Sequence, residues 1–255
     1  MVRYEVEGRR ATITLDQPER RNPLSVETMS ALVERVGDAV DDPDVAVIVI
    51  TGAGEKAFSA GGDLAGGFVD DPVGLHRSRG ALADLFRLLH RGGKPTVARV
   101  NGHALAGGFG LAVACDVVVA VDDAKMGTPE IGVGLWPAMI SAILTRVMPR
   151  KAALELMMTG RIITAEEAFR LGAVSRVVTR DELDDVVDEV VESLASKSAA
   201  VLAMGRDLFY DTADLPFDAA LDQLQGGLTA VTMTQDSREG IQAFLEKRPP
   251  RWSHR

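Results

Sequence analysis

The run DVAVIVIT, residues 44–51, constrains this chain more than any other feature. It is nearly continuous in apolar, mostly β-branched residues and too short for an ordinary helix. Such a run suits a strand covered on both faces, as in the middle of a parallel sheet. PTVARVNG (95–102), which ends in the turn dipeptide Asn-Gly, and VVVAVDD (117–123) read the same way. Helical periodicity separates these runs. Residues 25–41 place Leu32, Val33, Val36 and Val40 on one face behind a Ser25 N-cap, and residues from about 73 to 91 do the same with Leu82, Leu85, Phe86 and Leu89. Strands alternating with helices predict an α/β fold with a mostly parallel sheet. In front of it, VRYEVE and ATITLD flank Gly8-Arg9 and read as a hairpin.

The last third changes character. Thr164 and Glu167 have the spacing of a capping box, with Gly172 at the C′ position of the same helix. From about 181 to 247 the pattern is almost wholly helical. The expected division is a core over residues 1–190 and a helical region over 191–255. A chain of 255 residues, with a quarter of them charged, can build a large core without staples. The lone Cys115 sits in LAVACDVVVA and reads as a buried small hydrophobe.

Charge and segment composition exclude several classes. The balance of 28 basic and 37 acidic residues gives −9, which argues against nucleic acid and anionic membrane surfaces as partners. No uncharged apolar stretch reaches the ~20 residues of a membrane span. The segment MVRYEVEGRR has no apolar core of a signal peptide, so a cytoplasmic protein is expected. His76, His90, His103 and His254 show no paired ligand spacing, so no metal site is expected. GAGEKA (52–57) fits a loose dinucleotide-binding pattern, but Gly61 and Gly62 follow too soon for the long helix such a site requires.

Two glycine-rich segments remain, AFSAGGDL (57–64) and ALAGGFGL (104–111), each directly after a buried strand. They read either as tight turns or as a pair of loops that aim two backbone N–H groups at one oxygen. Downstream, Glu130 in GTPEIGVGLWP is either a first-turn acid favoured by a helix dipole or a general acid/base. In the second reading, Ile131, Val133, Leu135 and Trp136 desolvate it and raise its pKa.

These motifs, in order, resemble the crotonase superfamily of enoyl-CoA hydratases and isomerases. The resemblance rests on PERRNPLS (18–25), ITGAGEKAFSAGGDL (50–64), RVNGHALAGGFGLAVACDVVVA (99–120), GTPEIGVGLWP (127–137), MTGRIITAEEAFRLGAVSRVV (158–178) and REGIQAFLEKRPPRW (238–252). It implies a spiral of ββα repeats with a C-terminal helical trimerisation region. It implies an acyl-CoA thioester as substrate, with no separate cofactor because coenzyme A belongs to the substrate, and a homotrimer or hexamer. It implies oxyanion N–H groups at Gly62 and Gly107 and a catalytic Glu130. Ala60, Gly61, Gly62, Asp63 and Leu64 are implied to line the thioester. Arg20 and Arg21 are placed near the nucleotide end of CoA, and Lys247 and Phe244 near the CoA of a neighbouring subunit. Trp136, Met139 and Phe109 are expected either in the acyl pocket or in the core.

One position departs from the hydratase pattern. Family members that hydrate with two glutamates carry the second one three residues after the oxyanion glycine. Gly110 stands there in this chain. The resemblance therefore implies either hydration or proton transfer between carbons by one carboxylate. Asp63, Asp116 and His103 are the candidates for a substitute group, with structural roles favoured for both aspartates. Gly110 is also expected to free volume for a branched or cyclic acyl group.

Overall fold

The structure, a computed structural model, describes residues 1–63 and 72–254. Its largest element is a six-stranded sheet. Strands β1 (Val2–Glu7) and β2 (Arg10–Leu15) form the expected antiparallel hairpin, with Tyr4 opposite Ile13. Next come β4 (Val47–Gly52), β7 (Thr96–Val100), β9 (Val117–Val121) and β12 (Arg176–Val178), in the order β1-β2-β4-β7-β9-β12. Every pairing after the hairpin is parallel. All of β4 is buried, which is why its sequence shows no polar alternation.

A second sheet has the order β11-β10-β8-β5, from β5 (Ala57–Ser59), β8 (His103–Leu105), β10 (Lys125–Gly127) and β11 (Ile162–Thr164). A third pairs β3 (Pro23–Leu24) with β6 (Gly61–Gly62). The chain repeats one pattern. β4 is followed by β5, β6 and helix α2 (Pro72–Arg91); β7 is followed by β8 and helix α3 (Gly107–Val113); β9 is followed by β10. Four strands of the large sheet, β2, β4, β7 and β9, thus hand the chain, at their carboxyl ends, to a strand of a smaller sheet. These are the ββα repeats expected of the crotonase fold.

Helices cover the sheet as their periodicity predicts. Helix α1 (Val26–Asp41) buries Leu32, Val36 and Ala39, and Ser25 Oγ accepts from Thr28 N at 3.2 Å. Burying a leucine fully contributes roughly 1.5–3 kcal/mol, so this single apolar face holds α1. In α2, Leu82, Leu85, Phe86 and Leu89 are buried. Helix α4 (Ala138–Val147) buries Ile140, Ile143 and Leu144, and helix α5 (Arg150–Thr159) buries Ala153, Leu156 and Met157.

Helix α6 (Ala165–Arg170) starts at Thr164, whose hydroxyl accepts from Glu167 N at 3.1 Å, and ends at Gly172 with φ +85°. Only half of the expected capping box forms there. Arg161 takes the Glu167 carboxylate, at 2.8 and 3.0 Å, and a charged partner outcompetes a backbone N–H. The reciprocal arrangement appears instead at Thr179, whose N–H and O–H both donate to Glu182.

Helix α7 (Leu183–Ala195) packs against the large sheet through Val187, Val190 and Val191. Then follow α8 (Ala199–Thr212), α9 (Phe217–Thr232) and α10 (Gln235–Glu246), which pack on one another. Asp116 ties α8 to the core. Its carboxylate accepts from Thr96 N (2.7 Å), Thr96 Oγ1 (2.9 Å), Arg206 Nε (2.8 Å) and Tyr210 Oη (2.5 Å). This is the structural role favoured for it. Cys115 is buried, and burial pushes its thiol pKa up. Among the described residues no helix is long and apolar enough to cross a membrane.

Candidate active site

The two glycine segments meet. A β-carbon built on Gly61 would stand 2.6 Å from Ala106 Cβ and 3.1 Å from Gly107 N, and one built on Gly107 would stand 3.9 Å from Gly62 N. Neither segment is a simple loop. Gly61–Gly62 is a short strand on β3, and Gly107 opens α3. The two directly addressed amides beside Gly62 are occupied: Gly61 N donates to Ser59 Oγ at 3.1 Å and Asp63 N to Leu24 O at 3.4 Å. In a parallel register with Leu24 opposite Gly62, the Gly62 N–H points away from β3. Gly107 is the first residue of a helix, where an N–H has no intrahelical acceptor. Two N–H groups from adjoining backbones, both at accessible positions, can hold the oxygen of a thioester as negative charge develops on it.

Ala106 makes this approach possible. It holds φ +51° with ψ −127°, a strained combination for a residue with a side chain. Its N–H is fixed to Gly127 O at 2.8 Å and its carbonyl to Gly110 N at 3.1 Å. The segment that leads to Glu130 is therefore bound directly to the turn that presents Gly107.

Glu130 lies in a short 3-10 helix, Pro129–Val133, that continues from β10. It is half-buried, and burial raises its pKa, partly offset by its own backbone N–H. Among the described residues three buried side-chain polar atoms lack a hydrogen-bond partner: His90 Nδ1, Thr128 Oγ1 and Glu130 Oε2. An unpartnered buried carboxylate oxygen costs stability, which sets Glu130 apart from an ordinary first-turn acid. The expected source of desolvation is corrected in part: Leu135 is half-buried, but Ile131, Val133 and Trp136 are 38%, 61% and 46% exposed.

Other expectations divide. Ala60 is exposed, two positions before Gly62, and its N–H donates to Arg21 O at 2.9 Å. Asp63 receives an ion pair from Arg20 at 2.7 Å, so its carboxylate braces this edge instead of replacing a second acid. Arg21 is exposed at a left-handed φ of +63°. His103 is exposed, and its Nδ1 accepts from Lys125 N at 3.1 Å, joining β8 to β10. Lys247 is the exposed left-handed C-cap of α10. Leu64 lies outside the described residues.

Of the two alternatives held for the acyl-pocket candidates, Phe109 takes the core one, being fully buried, and Met139 is half-buried against that core. One expectation is corrected: Gly110 frees no volume. A β-carbon there would stand 2.8 Å from Ile140 Cγ1, 3.2 Å from Ile140 Cγ2 and 3.3 Å from Phe86 Cζ. Side chains from α4 and α2 have filled the space.

Sequence reasoning missed the residues that hold the two segments in place. Asn22 is buried, with φ +53°. Its Nδ2 donates to Ala53 O (3.0 Å) and Ala57 O (2.8 Å), and its Oδ1 accepts from Gln17 N (3.0 Å). Ser59, also buried, donates to Asn22 O at 2.8 Å. Asn101 donates to Gly54 O (2.6 Å) and accepts from Gly52 N (3.1 Å). The one available signal was the polar, short residue beside a proline or glycine in Asn22-Pro23 and Asn101-Gly102.

Comparison with known proteins places this geometry in a family. The chain belongs to the enoyl-CoA hydratase/isomerase family, whose model matches residues 6–255. That family acts on acyl-CoA thioesters. A Thermus thermophilus protein provisionally named enoyl-CoA hydratase is 39% identical over 99% of this chain and 100% of its own length. Carnitinyl-CoA dehydratase of Salmonella enteritidis is 35% identical over 95% of this chain and 94% of its own. The crystal structure of an enoyl-CoA hydratase from Mycobacterium smegmatis superposes with a TM-score of 0.94 at 34% identity, covering 98% of both chains. The fold is thus the crotonase fold.

Proposed function

We propose that this enzyme adds water to, or removes it from, the Cα–Cβ bond of an acyl-CoA thioester, using Glu130 as its single acid/base and the Gly62 and Gly107 N–H groups as its oxyanion donors. The observation that carries this reading is the buried, unpartnered Glu130 Oε2 on a segment bonded to the Gly107 turn. In the hydration direction, water oxygen bonds to Cβ and the π electrons move through Cα into the carbonyl. The resulting enolate oxygen rests on the two N–H groups. The water proton passes to the Glu130 carboxylate. Glu130 then returns one proton to Cα as the carbonyl re-forms, so one water is consumed and the carboxylate is regenerated. Losing one oxyanion donor costs about 3 kcal/mol in such a site.

A second reading, transfer of a proton between Cα and Cγ, is favoured by Gly110, because Ile140 and Phe86 leave no space there for a second carboxylate. Both readings need the same two donors and the same base. Coenzyme A enters as part of the substrate, with Arg21 at its nucleotide end and Lys247 reaching the CoA of a neighbouring copy. The neighbour sits on α8–α10, which leave Phe209, Phe217, Leu228, Met233 and Phe244 from 63% to 83% exposed, an apolar face suited to a homotrimer or a hexamer. The experiment is a panel of 2-enoyl-CoA and 3-enoyl-CoA thioesters. Hydration of the former supports the first reading and isomerisation of the latter the second; turnover of neither overturns both.

A further inference from the structure

Hydration by one carboxylate leaves a question: what holds the attacking water besides Glu130? Two of the three unpartnered buried side-chain atoms among the described residues lie within one tripeptide, Thr128-Pro129-Glu130. Thr128 is fully buried. It occupies the N-cap of the 3-10 helix, where a threonine hydroxyl normally accepts a backbone N–H, yet its side chain makes no capping bond. A buried hydroxyl without a partner is costly and calls for a reason. The hydroxyl remains free for something else. Gly127, immediately before Thr128, accepts from Ala106 N at 2.8 Å, so Thr128 is fixed one residue from the turn that presents the Gly107 N–H.

We infer that Thr128 Oγ1 is the second group on the reacting water, holding it by a hydrogen bond while Glu130 Oε2 takes its proton. This rests on the reading of Glu130 given above. A hydroxyl can accept from water or donate to it, and it needs no second charge in a half-buried site. It would do part of the work of an absent second carboxylate, from the N-cap of the 3-10 helix that carries Glu130 instead of from α3.

The test separates steps that need water from one that does not. Exchange of the Cα proton of a saturated acyl-CoA in D2O needs Glu130 and the oxyanion donors alone; hydration of a 2-enoyl-CoA needs the held water as well. Thr128→Val keeps the shape and removes the hydroxyl. It is expected to lower kcat for hydration about 100-fold, with KM and Cα exchange within about 3-fold of the wild type. Thr128→Ser is expected to restore hydration to within about 5-fold of the wild type. Thr128→Val is also expected to be at least as stable as the wild type, because the hydroxyl it loses has no partner in the protein. Normal hydration by Thr128→Val overturns the inference. So does an equal loss of exchange and hydration, or a stability loss that Thr128→Ser repairs, since either would make the hydroxyl structural. A wild-type enzyme that exchanges but does not hydrate overturns the role of Thr128 and leaves Glu130 standing. Exchange that survives Glu130→Gln sinks the reading of Glu130 instead.

Discussion

The Gly62 amide nitrogen lies 3.9 Å from the point where a β-carbon on Gly107 would stand. Two chain segments 45 positions apart thus meet, with Gly62 exposed and Gly107 half-buried. A β-carbon on Gly62 itself would meet nothing within 4 Å. Gly62→Ala is therefore expected to fold normally, to keep the N–H and to retain far more turnover than a variant without it. Gly62→Pro removes the N–H and is expected to lower kcat by 10²–10³, or about 3–4 kcal/mol. Steady-state kinetics on both variants, with circular dichroism to verify folding, checks the contrast.

Gly110→Glu does not convert the site to a two-carboxylate one. Its β-carbon would strike Ile140 at 2.8 Å inside a packed core. Overpacking of this kind costs about 1–3 kcal/mol. Urea denaturation is expected to show that loss in Gly110→Glu and a partial recovery in Gly110→Glu with Ile140→Ala. An undiminished midpoint in the single variant would show that Ile140 yields freely.

The raised pKa of Glu130 makes stability depend on pH in a definite direction. A carboxyl raised above its ordinary value of 4.5 binds more protons folded than unfolded between 4.5 and its folded value. Its contribution therefore favours folding below that window and is lost as pH rises through it. The stability of Glu130→Gln relative to the wild type is expected to improve as pH rises through the same window. The acid limb of kcat/KM, where the free carboxylate is needed, is expected above the ordinary carboxylate range. Matched denaturation curves and pH–rate profiles test both signs.

The apolar face of α8–α10 predicts association. Light scattering on the purified protein is expected to give a mass about three or six times the 27.2 kDa of the chain. Phe217→Asp, at a position 76% exposed in the single chain, is expected to shift that mass downward. An unassociated wild type would remove the basis for Lys247 reaching a neighbour's CoA.

What was legible in the sequence follows physical lines. Within the run at 44–51, residues 45–51 are buried, so composition alone announced β4, which spans Val47–Gly52. Glu130 was legible as an acid after Pro129, but its surroundings were not. Ile131, Val133 and Trp136 are exposed on and just after a short 3-10 helix, an element too short for periodicity to show which side faces inward. Helix α3 was read as a loop because its seven residues are all apolar or glycine, which hides both its period and its phase. The same uniformity hid that Phe109 is core and that Gly110 faces Ile140. Asn22 escaped because its role is a set of long-range bonds to Ala53 and Ala57, and local pattern carries no information about such partners.

The central claim is that Glu130 moves protons beside a thioester carbonyl. The most direct measurement is Cα-proton exchange of a saturated acyl-CoA in D2O by wild type and Glu130→Gln, with thioester affinity measured by calorimetry on the same samples. Exchange is expected to fall at least 100-fold in the variant, as removal of a general base typically requires, while affinity stays within about 3-fold because the carboxylate acts in the transition state. A folded Glu130→Gln that binds the thioester and exchanges the proton at the wild-type rate would contradict the account.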